Sequence, residues 1–212
     1  MKNIVFILLM MCFAFAGNAK VIVKGTLVND KPATKEIHLL EHDGIALTKI
    51  ETVPLQENAG NVTFQFELEN IEIGFYFIGI DPNNVKYLIL GPENEVVITG
   101  NCSNLSSAIV TSPLNTEFIN IYRQVQGIDG RFNKEVNAIR NARGNATLIQ
   151  KAEAEMAKID ADRKKLLNET TVKNAFLGNF VGLYTYYSYQ NNKKTYSNEI
   201  EYFGNKYIEN VN

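Results

Sequence analysis

Asn61-Val62-Thr63-Phe64-Gln65-Phe66-Glu67-Leu68-Glu69 decides how the first half of this chain folds. On an extended backbone Val62, Phe64, Phe66 and Leu68 fall on one side, and Thr63, Gln65, Glu67 and Glu69 on the other. That alternation predicts a strand with one face in a core and one in water, as in an antiparallel sheet. The same period of two recurs outward in both directions, at Val21–Val28, Glu36–Glu41, Ile45–Val53, Phe75–Ile80, Val85–Leu90, Glu95–Thr99 and Ser106–Val110. Turn-forming residues separate these runs: Asn29-Asp30, Asp43-Gly44, Asn58-Ala59-Gly60, Asp81-Pro82-Asn83-Asn84 and Gly91-Pro92-Glu93-Asn94. Asp43-Gly44, between two apolar runs, carries a strong short-hairpin signal, because both residues tolerate positive φ. About eight short strands at roughly ten-residue spacing predict a β-sandwich or partly open barrel over residues 20–111.

From Ser112 the apolar period becomes helical. Ser112-Pro113 offers a cap and a proline at the first helical position. Phe118, Ile121, Val125, Ile128, Phe132, Val136 and Ile139 then recur at threes and fours, with Gly127 and Gly130 expected to weaken or kink the middle. After a break at Arg143-Gly144-Asn145, the residues Ile149, Ala152, Met156, Ile159, Arg163 and Leu166 repeat the stripe, which predicts a helical hairpin. A third helix is expected over Val172–Tyr189 and a fourth from near Ser197, with Ile200, Phe203, Tyr207 and Ile208 as its apolar set. The fold class is therefore α+β, with residues 112–212 forming a helical region rich in tyrosine.

The first nineteen residues read differently. Met1-Lys2 starts positive, Ile4 to Ala16 is an unbroken apolar run, and Gly17-Asn18-Ala19 places small residues before Lys20. This is the layout of a secretory signal peptide, expected to be cleaved after Ala19, and thirteen apolar residues rise only about 20 Å as a helix, short of a membrane core. The expected product is periplasmic or secreted, with no transmembrane segment. Its charge is uneven: residues 20–111 hold 6 basic and 12 acidic side chains, residues 112–212 hold 14 and 11. Neither half has the strongly basic character that nucleic-acid binding requires.

Cys102 alone would remain after cleavage, in the polar segment Gly100-Asn101-Cys102-Ser103-Asn104, with no cationic neighbour to lower its thiol pKa. It reads as an inert turn cysteine. His38 and His42 share a strand face with Glu36, but a metal site of this type needs further ligands from elsewhere, so both read as surface or hairpin histidines. The sequence contains no Cys-x-x-Cys, no Gly-x-Ser-x-Gly and no Gly-rich phosphate loop. No catalytic, cofactor-binding or metal-binding residue is assigned, and no cofactor is expected.

Several segments carry a family resemblance: Val23-Lys24-Gly25-Thr26-Leu27, Ile37-His38-Leu39-Leu40 before Asp43-Gly44, the strand Val62–Leu68, Tyr87-Leu88-Ile89-Leu90 before Gly91-Pro92-Glu93-Asn94-Glu95-Val96, and Thr111-Ser112-Pro113-Leu114-Asn115-Thr116-Glu117-Phe118. Together they resemble a domain of unknown function that precedes thioredoxin-like, alkyl hydroperoxide reductase type domains in secreted proteins of Gram-negative bacteria. Redox-active members carry Trp-Cys-x-x-Cys in the thioredoxin fold. This sequence has no Trp and no such motif, so no redox residue carries over. The resemblance implies an accessory or binding module of the envelope; the alternative is the N-terminal part of a thiol–disulfide oxidoreductase whose catalytic domain is missing or on another chain. Phe176, Phe180, Leu183 and Tyr187, with Ile200, Phe203 and Tyr207, offer more apolar surface than two short helices bury between themselves. They are the expected partner surface, for a thioredoxin-like protein or a second copy.

Overall fold

The computed structural model describes residues 20–31, 34–42, 45–184, 189 and 193–209. The leader-like segment and the Asp43-Gly44 turn lie outside the described residues. Nine strands come first: β1 (Lys20–Val28), β2 (Glu36–His42), β3 (Leu47–Pro54), β4 (Gln56–Asn58), β5 (Asn61–Glu69), β6 (Gly74–Asp81), β7 (Asn84–Leu90), β8 (Glu95–Asn101) and β9 (Asn104–Thr111). Four helices follow: α1 (Pro113–Asn141), α2 (Ala146–Lys173), α3 (Ala175–Tyr184) and α4 (Glu199–Glu209). The chain divides into two compact units, one up to Thr116 and one from Glu117.

In the first unit the strands form two sheets, ordered β4-β5-β1-β8-β9 and β3-β2-β6-β7. Their inner faces supply one core, including Val21, Val23 and Leu27 of β1, Ile37 and Leu39 of β2, all four apolar residues of the 61–69 alternation, and Ile78 of β6. This is a β-sandwich, and the strand that announced it pairs in full register with β1, from Lys20↔Glu69 to Val28↔Asn61. Two details depart from the expected pattern. β1 and β8 pair in parallel, while every other pairing among the described residues is antiparallel. β4 is an additional strand: Gln56–Asn58 folds back on β5 across Ala59 (φ 47) and Gly60 (φ 82), the two positive φ values that a tight type I′ hairpin requires. Gly25 has its own reason. A Cβ there would lie 2.5 Å from the Phe64 ring of its register partner, so the missing side chain is the space the ring occupies.

Side chains, rather than a backbone ladder, join the sheets where β7 meets the β8–β9 hairpin. Asn84 donates from Nδ2 to the Cys102 carbonyl (2.6 Å) and accepts at Oδ1 from the Leu105 amide (2.7 Å). Asn115, in the first turn of α1, repeats the device on Ile89: its Oδ1 accepts from the Ile89 amide (2.8 Å) and its Nδ2 donates to the Ile89 carbonyl (2.7 Å). Ser112 caps the same turn, its Oγ accepting from the Asn115 amide and side chain. A carboxamide has one donor and one acceptor side by side, so it pairs with a peptide group as another strand would.

In the second unit the predicted hairpin is present. Phe118, Ile121 and Val125 of α1 are buried, and so are Ala152, Met156, Ile159, Arg163 and Leu166 of α2. The turn between them places Arg143 (φ 47) and Gly144 (φ 85) in the left-handed region, and Asn145 caps α2 by accepting from the Leu148 amide. α1 runs unbroken through Gly127 and Gly130, contrary to the expected weak point. A Cβ at either position meets nothing within 4 Å. Gly127→Ala and Gly130→Ala are therefore expected to raise stability by about 0.5–1 kcal/mol each, because each removes backbone entropy from the unfolded chain at no steric cost. Urea denaturation of the single and double variants checks this, and unchanged midpoints would contradict it.

The third helix starts later than its periodicity suggested. Val172 belongs to the end of α2, and Asn174 separates the helices with an extended backbone (φ −153, ψ 107). Its amide donates to the Thr170 carbonyl, closing α2, and its Oδ1 accepts from the Leu177 amide, opening α3. Gly178 follows because a Cβ there would sit 2.6 Å from the Thr171 Cα. In α4 Tyr202 is buried against Tyr196 (5.2 Å between ring centroids) and Phe203 (5.0 Å), whereas Ile200 and Phe203 of the expected set are exposed.

Candidate functional site

The outer face of the four-stranded sheet carries a cleft of about 260 Å³ at β2, β3 and the end of β6. Ile37 and Leu39 point into the sandwich core, so the alternation of β2 sends His38 and Leu40 to the opposite face, where both line the cleft. Leu47 and Lys49 of β3 form one wall; Gly79, Ile80, Asp81 and Pro82 form the other. Gly79 keeps the floor open, since a Cβ would stand 2.9 Å from a Val85 methyl and 3.0 Å from a Leu40 methyl, which would have to move aside. β3 carries one extra residue here. The register moves from Leu39↔Glu51 to Leu40↔Lys49, which leaves Ile50 without a partner on β2 and brings Lys49 over the histidine.

His38 is the chemical centre of this cleft. The ring is 7% exposed, which corrects the reading of it as a surface histidine; the β3 side chains Lys49 and Thr52 close over it. Lys49 Nζ lies 3.0 Å from Nε2, and an ammonium can only donate, so Nε2 holds the lone pair and Nδ1 the proton. Nδ1 then donates to Thr52 Oγ1 at 2.8 Å. Burial holds the His38 pKa below the usual histidine range and the Lys49 charge adds to this, while Glu36, 3.6 Å from Nε2, opposes both. The ring is therefore neutral at pH 7. At the rim, Asp81 pairs with Lys31 (3.0 Å) and accepts from the Asn83 amide, which together hold its carboxyl below the usual range.

No family model, curated protein or solved structure matches the chain. A larger, shallower groove of about 440 Å³ crosses the outer face of the five-stranded sheet, but its cation, Lys24, is already paired with Glu95 at 2.5 Å. Among the described residues, no group of three or more His, Cys, Asp or Glu is placed to hold a metal ion.

The residues expected to form a partner surface on the C-terminal helices do not lie on one exposed face. Phe180 is buried at 8%, with its ring 4.8 Å from Phe118 and 4.7 Å from Tyr184, so it belongs to the helical core. Phe176 is half-buried, Leu183 is 73% exposed and Phe203 45%. Tyr187 and the side chain of Tyr207 lie outside the described residues. Sequence reasoning singled out His38 but missed Lys49. The bulge that carries Lys49 to the imidazole has no signature in the alternation of β3.

Proposed function

We propose that this chain is a non-enzymatic binding module of the cell envelope, exported by way of residues 1–19. The observation that carries the reading is the bonding state of His38. A histidine acts as a general base through a free lone pair directed at a proton to be removed. Here the lone pair is occupied by the Lys49 ammonium, and Nδ1 donates to Thr52 instead of accepting from it, so the hydroxyl gains no nucleophilic character. A cleft whose polar groups satisfy one another in this way suits binding rather than turnover.

The second reading, a part of a thiol–disulfide oxidoreductase, draws on the resemblance and would place the redox chemistry on another domain or chain. Cys102 supports that division. It is wholly buried in the sandwich core, and burial together with the nearby Asp30 charge pushes its thiol pKa up. The isolated chain is expected to show no dithiol-dependent insulin reduction, and Cys102 should react with a thiol reagent only after unfolding. Turnover above background that disappears in Cys102→Ser would overturn the non-enzymatic reading. A thioredoxin-like protein or a second copy as partner of the C-terminal helices belongs to the same proposal, which Leu183 and Phe203 support by their exposure.

A further inference from the structure

The cleft beside His38 has the size, walls and charge for one class of small molecule. Its sides are apolar over Leu40, Leu47 and Pro82, and a single ammonium, Lys49, lines it. An ammonium has three donors, of which Lys49 gives one to His38 Nε2. The carboxylate that also lines the cleft, Asp81, is engaged on both oxygens, by Lys31 and by the Asn83 amide. Glu36 stands 3.6 Å from the same Nε2 and is not among the residues that line the cleft. Lys49 is thus the charge in the cleft with hydrogen-bonding capacity to offer a ligand. At about 30 Å³ per water-sized group, a volume of about 260 Å³ takes about eight or nine heavy atoms.

We infer that this cleft binds a short aliphatic monocarboxylate, its carboxylate on Lys49 and its chain along Leu40, Leu47 and Pro82. The inference rests on the binding-module reading and adds the ligand class. Each end of such a molecule meets a matching surface. The carboxylate takes charge-assisted hydrogen bonds from Lys49, and the chain covers apolar walls that water otherwise wets. An alkylamine of the same length brings a like charge to Lys49, and an alcohol leaves the ammonium without its counter-charge.

Hexanoate, 1-hexanol and hexylamine, titrated into the isotope-labelled full chain with the His38 ring resonances followed by NMR, test this. Hexanoate is expected to shift the His38 signals saturably and to bind about tenfold or more tightly than 1-hexanol, with hexylamine weakest. Lys49→Met keeps the stem and removes the charge, so it should abolish the preference for hexanoate over hexanol, while Lys49→Arg should retain it. Lys49 is exposed on an edge strand, and an unchanged amide spectrum verifies that each variant is folded. No saturable shift with hexanoate, equal binding of hexanoate and hexanol, or an undiminished preference in Lys49→Met would each overturn the inference. The insulin assay reads catalysis and this titration reads binding, so the two readings fail separately.

Discussion

Asn115→Ala is expected to remove about 2–5 kcal/mol of folding stability, a large effect for one polar residue in the first turn of a helix. The side chain is 4% exposed and its partner Ile89 is wholly buried, so water does not replace what the amide supplies. The substitution leaves the Ile89 N–H and C=O without their present partners, and each orphaned buried polar group costs about 1–3 kcal/mol. Ser112→Ala is the milder comparison, expected at about 1 kcal/mol for a lost cap. Urea denaturation gives both values, and hydrogen exchange at the Ile89 amide locates the effect. A loss below about 0.5 kcal/mol in Asn115→Ala would mean that the amide is not the anchor its geometry indicates.

Arg163→Met is expected to cost about 3–5 kcal/mol, because it removes the cation that faces two carboxylates inside the helical hairpin. The guanidinium is 3% exposed; it donates to Asp129 at 2.9 Å and to Asp160 at 3.3 Å, and it lies 4.5 Å from the Phe132 ring centroid. Methionine fills much of the same volume, so the loss measures charge rather than packing. In the double variant Arg163→Met with Asp160→Leu the buried carboxylate leaves together with its cation. Much of the loss should then return, since exchanging a buried ion pair for apolar side chains is often neutral. A double variant no more stable than Arg163→Met would show that the cost lies elsewhere. The surface pair Arg131–Asp162 joins the same two helices but is half-exposed, and neutralising it is expected to change stability by less than about 1 kcal/mol.

The parts of the structure legible in the sequence are those written as period. The alternation at 61–69 specified a strand and its buried face, and the stripe from Ile149 to Leu166 specified α2, with Arg163 already placed in the seam. Turn chemistry was legible where glycine or asparagine was required, as at Arg143-Gly144-Asn145. Interactions made by one side chain across the fold were not legible. Asn84 and Asn115 look like ordinary turn and cap residues, and only the meeting of β7 with the β8–β9 hairpin and with residues 112–115 turns them into substitutes for a strand. The boundary at Asn174 was hidden because Val172, 87% exposed at the end of α2, mimics the apolar stripe of the helix that follows. Tyr202 fell outside the stripe drawn through Ile200, Phe203 and Tyr207, whereas the aromatic cluster of Tyr189, Tyr196 and Phe203 buries it. The candidate site depends on a bulge, which shifts Lys49 by one position and leaves no mark on the composition of β3.

The asparagine device on β7 also bears on self-association. An unprotected sheet margin displays free peptide groups, and these recruit strands from neighbouring molecules and seed fibrils. At Ile89 those groups are already spoken for, so an incoming chain must first dislodge a buried carboxamide from its own molecule. The opposite margin of the same sheet, β3, is guarded by other means: the unmatched Ile50 distorts it, and Lys49 and Glu51 put charge on it. In the companion sheet, β4 offers a template only three residues long. The arrangement that seals the sandwich therefore also withdraws the Ile89 peptide groups from any strand that another molecule could add to β7.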